Sequence, residues 1–192
     1  MVSLWSWCHS TSTRMFPMRV VPRLLEVLDT DAHIAARTIM SLEFVDSEPP
    51  VTKERIADFE RIIGVELPEQ YKRFFLEHNG GSPRPPEFLF QREGEDPQEG
   101  IVAWFLAIHD GPHENILRFF KMFQGRIPAD TVSIARDPGG DLILLGIRGP
   151  LRGKVFFWTS ELETDDGTPT EPEMLYHVAD SFDEFLKSLG KV

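Results

Sequence analysis

Positive charge, cysteine and long apolar runs are all scarce in this 192-residue sequence. The single cysteine, Cys8, excludes an internal disulfide framework and a zinc cluster built from cysteines. The longest unbroken apolar stretch, Ile101 to Ile108, falls far short of the roughly 20 residues that a membrane-spanning helix needs. A soluble, cytoplasmic chain with no membrane partner is therefore expected. Twenty Lys and Arg face 31 Asp and Glu, a formal charge of -11. A protein that binds a phosphate backbone carries a basic footprint, so nucleic acid is not the expected ligand. No G-x-S-x-G, H-E-x-x-H or phosphate-cradling glycine loop is present, and no cofactor, metal or catalytic residue is expected. Aromatic residues, by contrast, are plentiful. Fifteen Phe, four Trp and two Tyr supply a core and exclude global disorder. The acid excess keeps a protein soluble and also suits a basic protein partner, because opposite charge speeds and orients encounter.

The first 39 residues differ from the rest. They carry four Arg against Glu26, Asp29 and Asp31, with no acid before Glu26. That composition fits an arm outside the folded domain over residues 1–48, with the domain at 49–192. An organelle transit peptide, a translated upstream stretch with Met40 as the working start, and a small helix on Leu24, Leu25, Leu28 and Ala32 are the other readings of it.

From Pro49 the pattern is regular. Thr52 caps a helix to about Ile63, with Ile56, Phe59 and Ile63 on one face and Gly64 as the stop. Pro68 opens a second helix carrying Tyr71, Phe74 and Phe75, which Asn79-Gly80-Gly81 ends. Glu87 to Gln91 is strand-like, Arg92 to Gly100 is an acidic loop, and Gly100 to Ile108 is a buried strand or a buried helix. A third helix spans about Glu114 to Phe123. Thr131–Ala135 and Leu142–Leu145 make a hairpin around Asp137-Pro-Gly-Gly-Asp141, and Lys154–Trp158 is the next strand. Met174 to Val178 is a last short strand. Ser181-x-x-Glu184 is a capping box that starts a final helix on Phe182, Phe185 and Leu189. Two opening helices, central strands and a closing helix predict an α+β domain, an antiparallel sheet covered by helices on one side.

Three ordered pieces of this stretch resemble the signatures of the SMI1/KNR4 superfamily, the SUKH domain. They are Phe59-x-x-x-x-Gly64-Val-x-Leu67-Pro68-x-x-Tyr71-x-x-Phe74-Phe75-x-x-x-Asn79-Gly80-Gly81, then Ile134-Ala135-x-Asp137-x-Gly139-Gly140-Asp141 with Gly153-x-Val155-Phe156-Phe157-Trp158, then Ser181-Phe182-x-x-Phe185-Leu186. The resemblance implies an α+β fold and no general enzymatic activity. For bacterial members it implies an immunity protein that neutralises a polymorphic or contact-delivered toxin by direct binding. Many such toxins are nucleases, which makes a basic cognate toxin the implied partner. A regulatory protein-interaction module without a toxin is the alternative that the family offers.

Several residues are candidates for that contact. Glu93, Glu95, Asp96 and Glu99 form an acidic loop able to complement a basic surface and to mimic a nucleic-acid backbone. Asp137 and Asp141 flank the glycine turn, where a carboxylate either bonds backbone N–H groups or serves acid/base chemistry. Phe156, Phe157 and Trp158 are consecutive, and strand neighbours point to opposite faces. Trp158 is therefore a candidate contact on an open sheet face. His109 and His113 have the spacing of helical metal ligands, but Gly111-Pro112 between them breaks such a helix. His78 reads as a helix-end residue and His177 as a strand residue.

Overall fold

The computed structural model describes residues 42–164 and 166–192. The expected arm, with each of its alternative readings, falls in residues 1–41, apart from its last seven positions; residues 1–41 and Cys8 among them lie outside the described residues. Those last positions are not arm-like. Strand β1 (Glu43–Val45) pairs antiparallel with β2 (Ser82–Arg84), and the Phe44 and Phe74 rings meet edge to face with centroids 5.1 Å apart. Phe44 thereby joins the residues packed against the main core.

Helix α1 (Lys53–Ile63) starts where Thr52 Oγ1 accepts the Arg55 N–H, and it ends at Gly64 with φ 69°. Helix α2 (Glu69–Glu77) follows Pro68. Their buried residues are Ile56, Phe59 and Ile63 from one, and Tyr71, Phe74 and Phe75 from the other. The Asn79-Gly80-Gly81 stop does more than end α2. The Asn79 side chain donates to Pro49 O (2.8 Å) and Ile108 O (3.2 Å) and accepts the Ile108 N–H (2.9 Å). A Cβ on Gly80 would come within 2.8 Å of Ala107, so only glycine admits this close crossing.

The main sheet is an antiparallel meander, β5 (Trp104–Phe105), β6 (Thr131–Arg136), β7 (Leu142–Gly146), β8 (Val155–Trp158) and β9 (Tyr176–Ala179). The hairpin β3 (Glu87–Phe90) and β4 (Gln98–Ile101) is tied to β9 by reciprocal bonds between Gln91 and His177, 3.0 and 2.8 Å. The stretch left open as strand or helix is therefore strand, split between β4 and β5. The acidic loop is shorter than expected, since Gln98–Gly100 belongs to β4. Helix α3 (Ile116–Phe123) starts at an Asn115 cap rather than at Glu114. In α4 (Phe182–Ser188) the Ser181 hydroxyl accepts the Glu184 N–H at 3.2 Å, the hydroxyl half of the expected box.

The α+β architecture is as expected, but the sheet is covered on both faces. Ile143, Leu145, Val155 and Phe157 pack with α1, α2 and α4 in one core. Leu142, Leu144, Phe156 and Trp158 face the other way, under Phe123, Ile127, Leu162 and Leu175. Each fully buried Leu, Ile or Phe contributes about 1.5–3 kcal/mol. The unbroken run Leu142-Ile-Leu-Leu145 is the sequence sign of this double burial, since a half-exposed strand would alternate.

Candidate functional site

Asp137 to Asp141 join β6 to β7. The Asp137 carboxylate accepts the Asp141 N–H (2.8 Å), and the Asp137 N–H donates to the Asp141 carbonyl (2.9 Å). Gly140, at φ 97°, supplies the bend. One oxygen of Asp141 accepts the Ser160 N–H (2.9 Å), which ties the turn to the segment after β8. The Asp137 carboxylate is thus held by the turn itself, as expected of Asp beside a glycine bend, and that of Asp141 by the segment after β8.

They also border an open groove of about 550 Å³. Strand β4 forms its opposite wall, Phe90 and Phe157 lie among its lining residues, and Glu161 projects from the 3-10 turn Ser160–Leu162. Glu99, Asp137, Asp141 and Glu161 line it, with no Lys or Arg among its lining residues. Four like charges around one depression sum to a negative potential that a low-dielectric wall focuses outward. Arg92 stacks on the lining residue Tyr176 (4.1 Å), but its guanidinium donates to Met174 O (2.9 and 3.1 Å).

The structure therefore brings together Glu99, Asp137 and Asp141 from the sequence candidates. Glu93, Glu95 and Asp96 are exposed at the β3–β4 tip, outside the groove lining. Glu161 was missed by sequence reasoning. The Leu142↔Trp158 register, which carries Thr159–Glu161 alongside Asp141, places it there.

Trp158 requires correction. It is 0% exposed, and its indole N–H donates to Thr170 Oγ1 (2.8 Å), whose hydroxyl donates to Leu162 O (3.0 Å). The polar segment after β8 folds back over the sheet and satisfies the indole internally, so Trp158 is core and offers no contact surface.

The described histidines have local roles. His109 Nε2 donates to His113 O (2.7 Å) while Nδ1 accepts the Gly111 N–H (3.2 Å), which closes the Gly111-Pro112 loop on itself. His177 sits in β9, 3.2 Å from Asp180. His78 follows α2, its ring 4.6 Å from that of Phe44. Among the described residues no group of three or more His, Cys, Asp or Glu is arranged to hold a metal ion, and no helix is long and apolar enough to cross a membrane.

Comparison with known proteins places this geometry in context. A family model described as SMI1 / KNR4 family (SUKH-1) matches residues 50–188. The SPbeta prophage-derived uncharacterized protein YokK of Bacillus subtilis (strain 168) is 25% identical over 154 residues, 72% of this chain and 74% of that protein. The matched span runs from the Pro49-Pro50 entry to α1 through α4, taking in the Asn79 crossing, the Asp137–Asp141 turn and the Ser181 cap, and the chain belongs to the SMI1 / KNR4 family (SUKH-1), which includes immunity proteins.

Proposed function

We propose that this chain is an immunity protein that neutralises a cognate toxin by binding it, without chemistry of its own. The observation that carries the proposal is the groove lined by Glu99, Asp137, Asp141 and Glu161 with no cation among its lining residues. A basic, nuclease-type toxin keeps Lys and Arg where its substrate's phosphates bind. A rigid array of carboxylates occupies such a surface in place of phosphate. The exposed acids Glu93, Glu95 and Asp96 at the hairpin tip extend the same negative field and steer the encounter.

Co-expression tests this directly. A toxin encoded beside this gene should arrest growth alone and fail to do so with this chain present; persistent arrest against every neighbouring toxin candidate sinks the proposal. Charge reversal at Glu93, Glu95, Asp96 and Glu99 should slow association by about tenfold or more at low salt and little at high salt. An unchanged association rate at low salt removes the steering role.

A further inference from the structure

The groove wall made by β4 is an unpaired strand edge. Val102 N–H donates to Pro86 O (2.9 Å), which makes Pro86/Val102 a hydrogen-bonded pair of the antiparallel ladder. Bonded and non-bonded pairs alternate, so with Phe88 opposite Gly100 and Leu89 opposite Glu99, the bonded residues of β4 are Gly100 and Gln98. The main-chain N–H and C=O of Glu99 and Ile101 therefore point away from β3, and they have no main-chain partner among the described residues. Two residues further on the chain is closed: Ala103 N–H donates to Arg136 O (2.9 Å), and Trp104 and Phe105 pair with β6. The groove lies between β4, which pairs only with β3, and the turn that joins β6 to β7.

An exposed strand edge is ordinarily blunted by Pro, Lys, a bulge or a covering loop. Gln98–Ile101 contains no Pro or Lys, and its only charge is Glu99. Exposed Ile101 (47%) and Leu89 (39%) flank Glu99 and add apolar surface. A second copy of this chain adding here would meet the same acids with its own, whereas a basic strand would meet them with opposite charge.

We infer that the β4 edge takes an extended, lysine- or arginine-bearing segment of the partner as an added strand. Its backbone pairs with the free N–H and C=O groups of Glu99 and Ile101, and its basic side chains meet Glu99, Asp137, Asp141 and Glu161. Such strand addition draws affinity from main-chain bonds and specificity from alternate side chains. This deepens the toxin-binding role proposed above and rests on it.

The test uses the full chain and a labelled short peptide alternating lysine and valine, with two controls: the same peptide N-methylated at alternate amides, and a glutamate–valine counterpart. The lysine peptide should bind at low salt and slow amide exchange at Glu99 and Ile101. The N-methylated peptide should bind about tenfold more weakly, because it cannot complete the ladder. Ile101→Pro deletes one docking donor that the internal ladder does not use, and it should weaken the lysine peptide to a similar degree while leaving the thermal melt near that of the parent. Glu99→Lys serves as the second variant and should weaken binding without touching the backbone. Equal binding of the N-methylated or the acidic peptide, absence of binding, or unchanged exchange at Glu99 and Ile101 overturns the inference. Toxin rescue keeps the two proposals apart. Full rescue by Ile101→Pro overturns strand addition and leaves neutralisation standing, whereas failure of the parent chain to rescue overturns neutralisation itself.

Discussion

Two carboxylate clusters of this protein have opposite surroundings. Where α1 meets α2, Lys72 Nζ lies 2.5 Å from Glu69, 2.8 Å from Glu66 and 3.7 Å from Glu60, so three acids converge on one cation. Glu60 also accepts the Leu67 N–H (2.8 Å), which pins the interhelix turn. Around the groove, Glu99, Asp137, Asp141 and Glu161 have no such centre among the described residues that line it. In the first cluster a folded-in cation offsets part of the acid charge and serves the fold. The second keeps its charge directed at solvent, and two of its members are fixed by backbone N–H groups, Asp137 by that of Asp141 and Asp141 by that of Ser160. An acid excess is therefore not one property of the molecule: its contribution depends on whether a cation was folded in beside it.

The sheet's sealed back sets the upper end of the scale. Trp158→Ala removes a fully buried indole and leaves Thr170 without its donor, and it should cost about 3–5 kcal/mol in urea unfolding. A loss below about 0.5 kcal/mol would mean that Trp158 is surface after all. Next comes Asp137→Ala, which strips the carboxylate from the Asp141 N–H and should cost about 1–2 kcal/mol, with Asp137→Asn recovering part of it. A neutral result would detach the groove acids from the turn.

Lys72→Met probes the lysine-centred cluster, and its effect should be smaller, under about 1 kcal/mol at neutral pH, since most of these pairs are at the surface. Its pH dependence is more informative. Hydrogen bonding to Lys72 holds the Glu66 carboxyl below its usual 4.5, so this contribution is present above that range and is lost as pH falls through the lowered value. The same bonds raise Lys72, whose contribution is present below its ordinary 10.5 and disappears only as pH climbs beyond it. Melting temperatures of parent and variant should thus converge in acid and diverge between pH about 5 and 10. Parallel curves would break the assignment. The smallest effect belongs to the groove: Glu99→Gln and Glu161→Gln should change stability by no more than about 0.5 kcal/mol, in the stabilising direction, because each relieves repulsion without leaving an unmatched cation. A clear destabilisation by either would show that the groove acids are bound into the fold as the Lys72 cluster is.

Much of the fold was legible in local pattern. Thr52, Gly64, Pro68 and Ser181 mark helix ends because each satisfies or removes an orphan backbone group at the terminus itself. The β6–β7 hairpin was legible because Asp137-Pro-Gly-Gly-Asp141 forms a turn from its own atoms. The groove was only half legible: Glu99 and Asp137 are 38 positions apart, and no local pattern states that β4 lies across from that turn. Tyr71 shows a further gap. Its spacing in α2 marks it as core, yet the structure buries its hydroxyl with no hydrogen-bond partner among the described residues, and burial pushes the phenol's pKa up.

Residue order by itself determined the element types, their caps, the tight turns and the family, because these depend on bonds closed within a few residues and on the period of apolar positions. Tertiary structure alone decided three things. It covered Trp158 with a polar segment, put Glu161 beside Asp141, and left one strand edge open between carboxylates. Each depends on contacts between segments far apart in sequence, whose geometry is set by packing of the whole core and not by any local propensity.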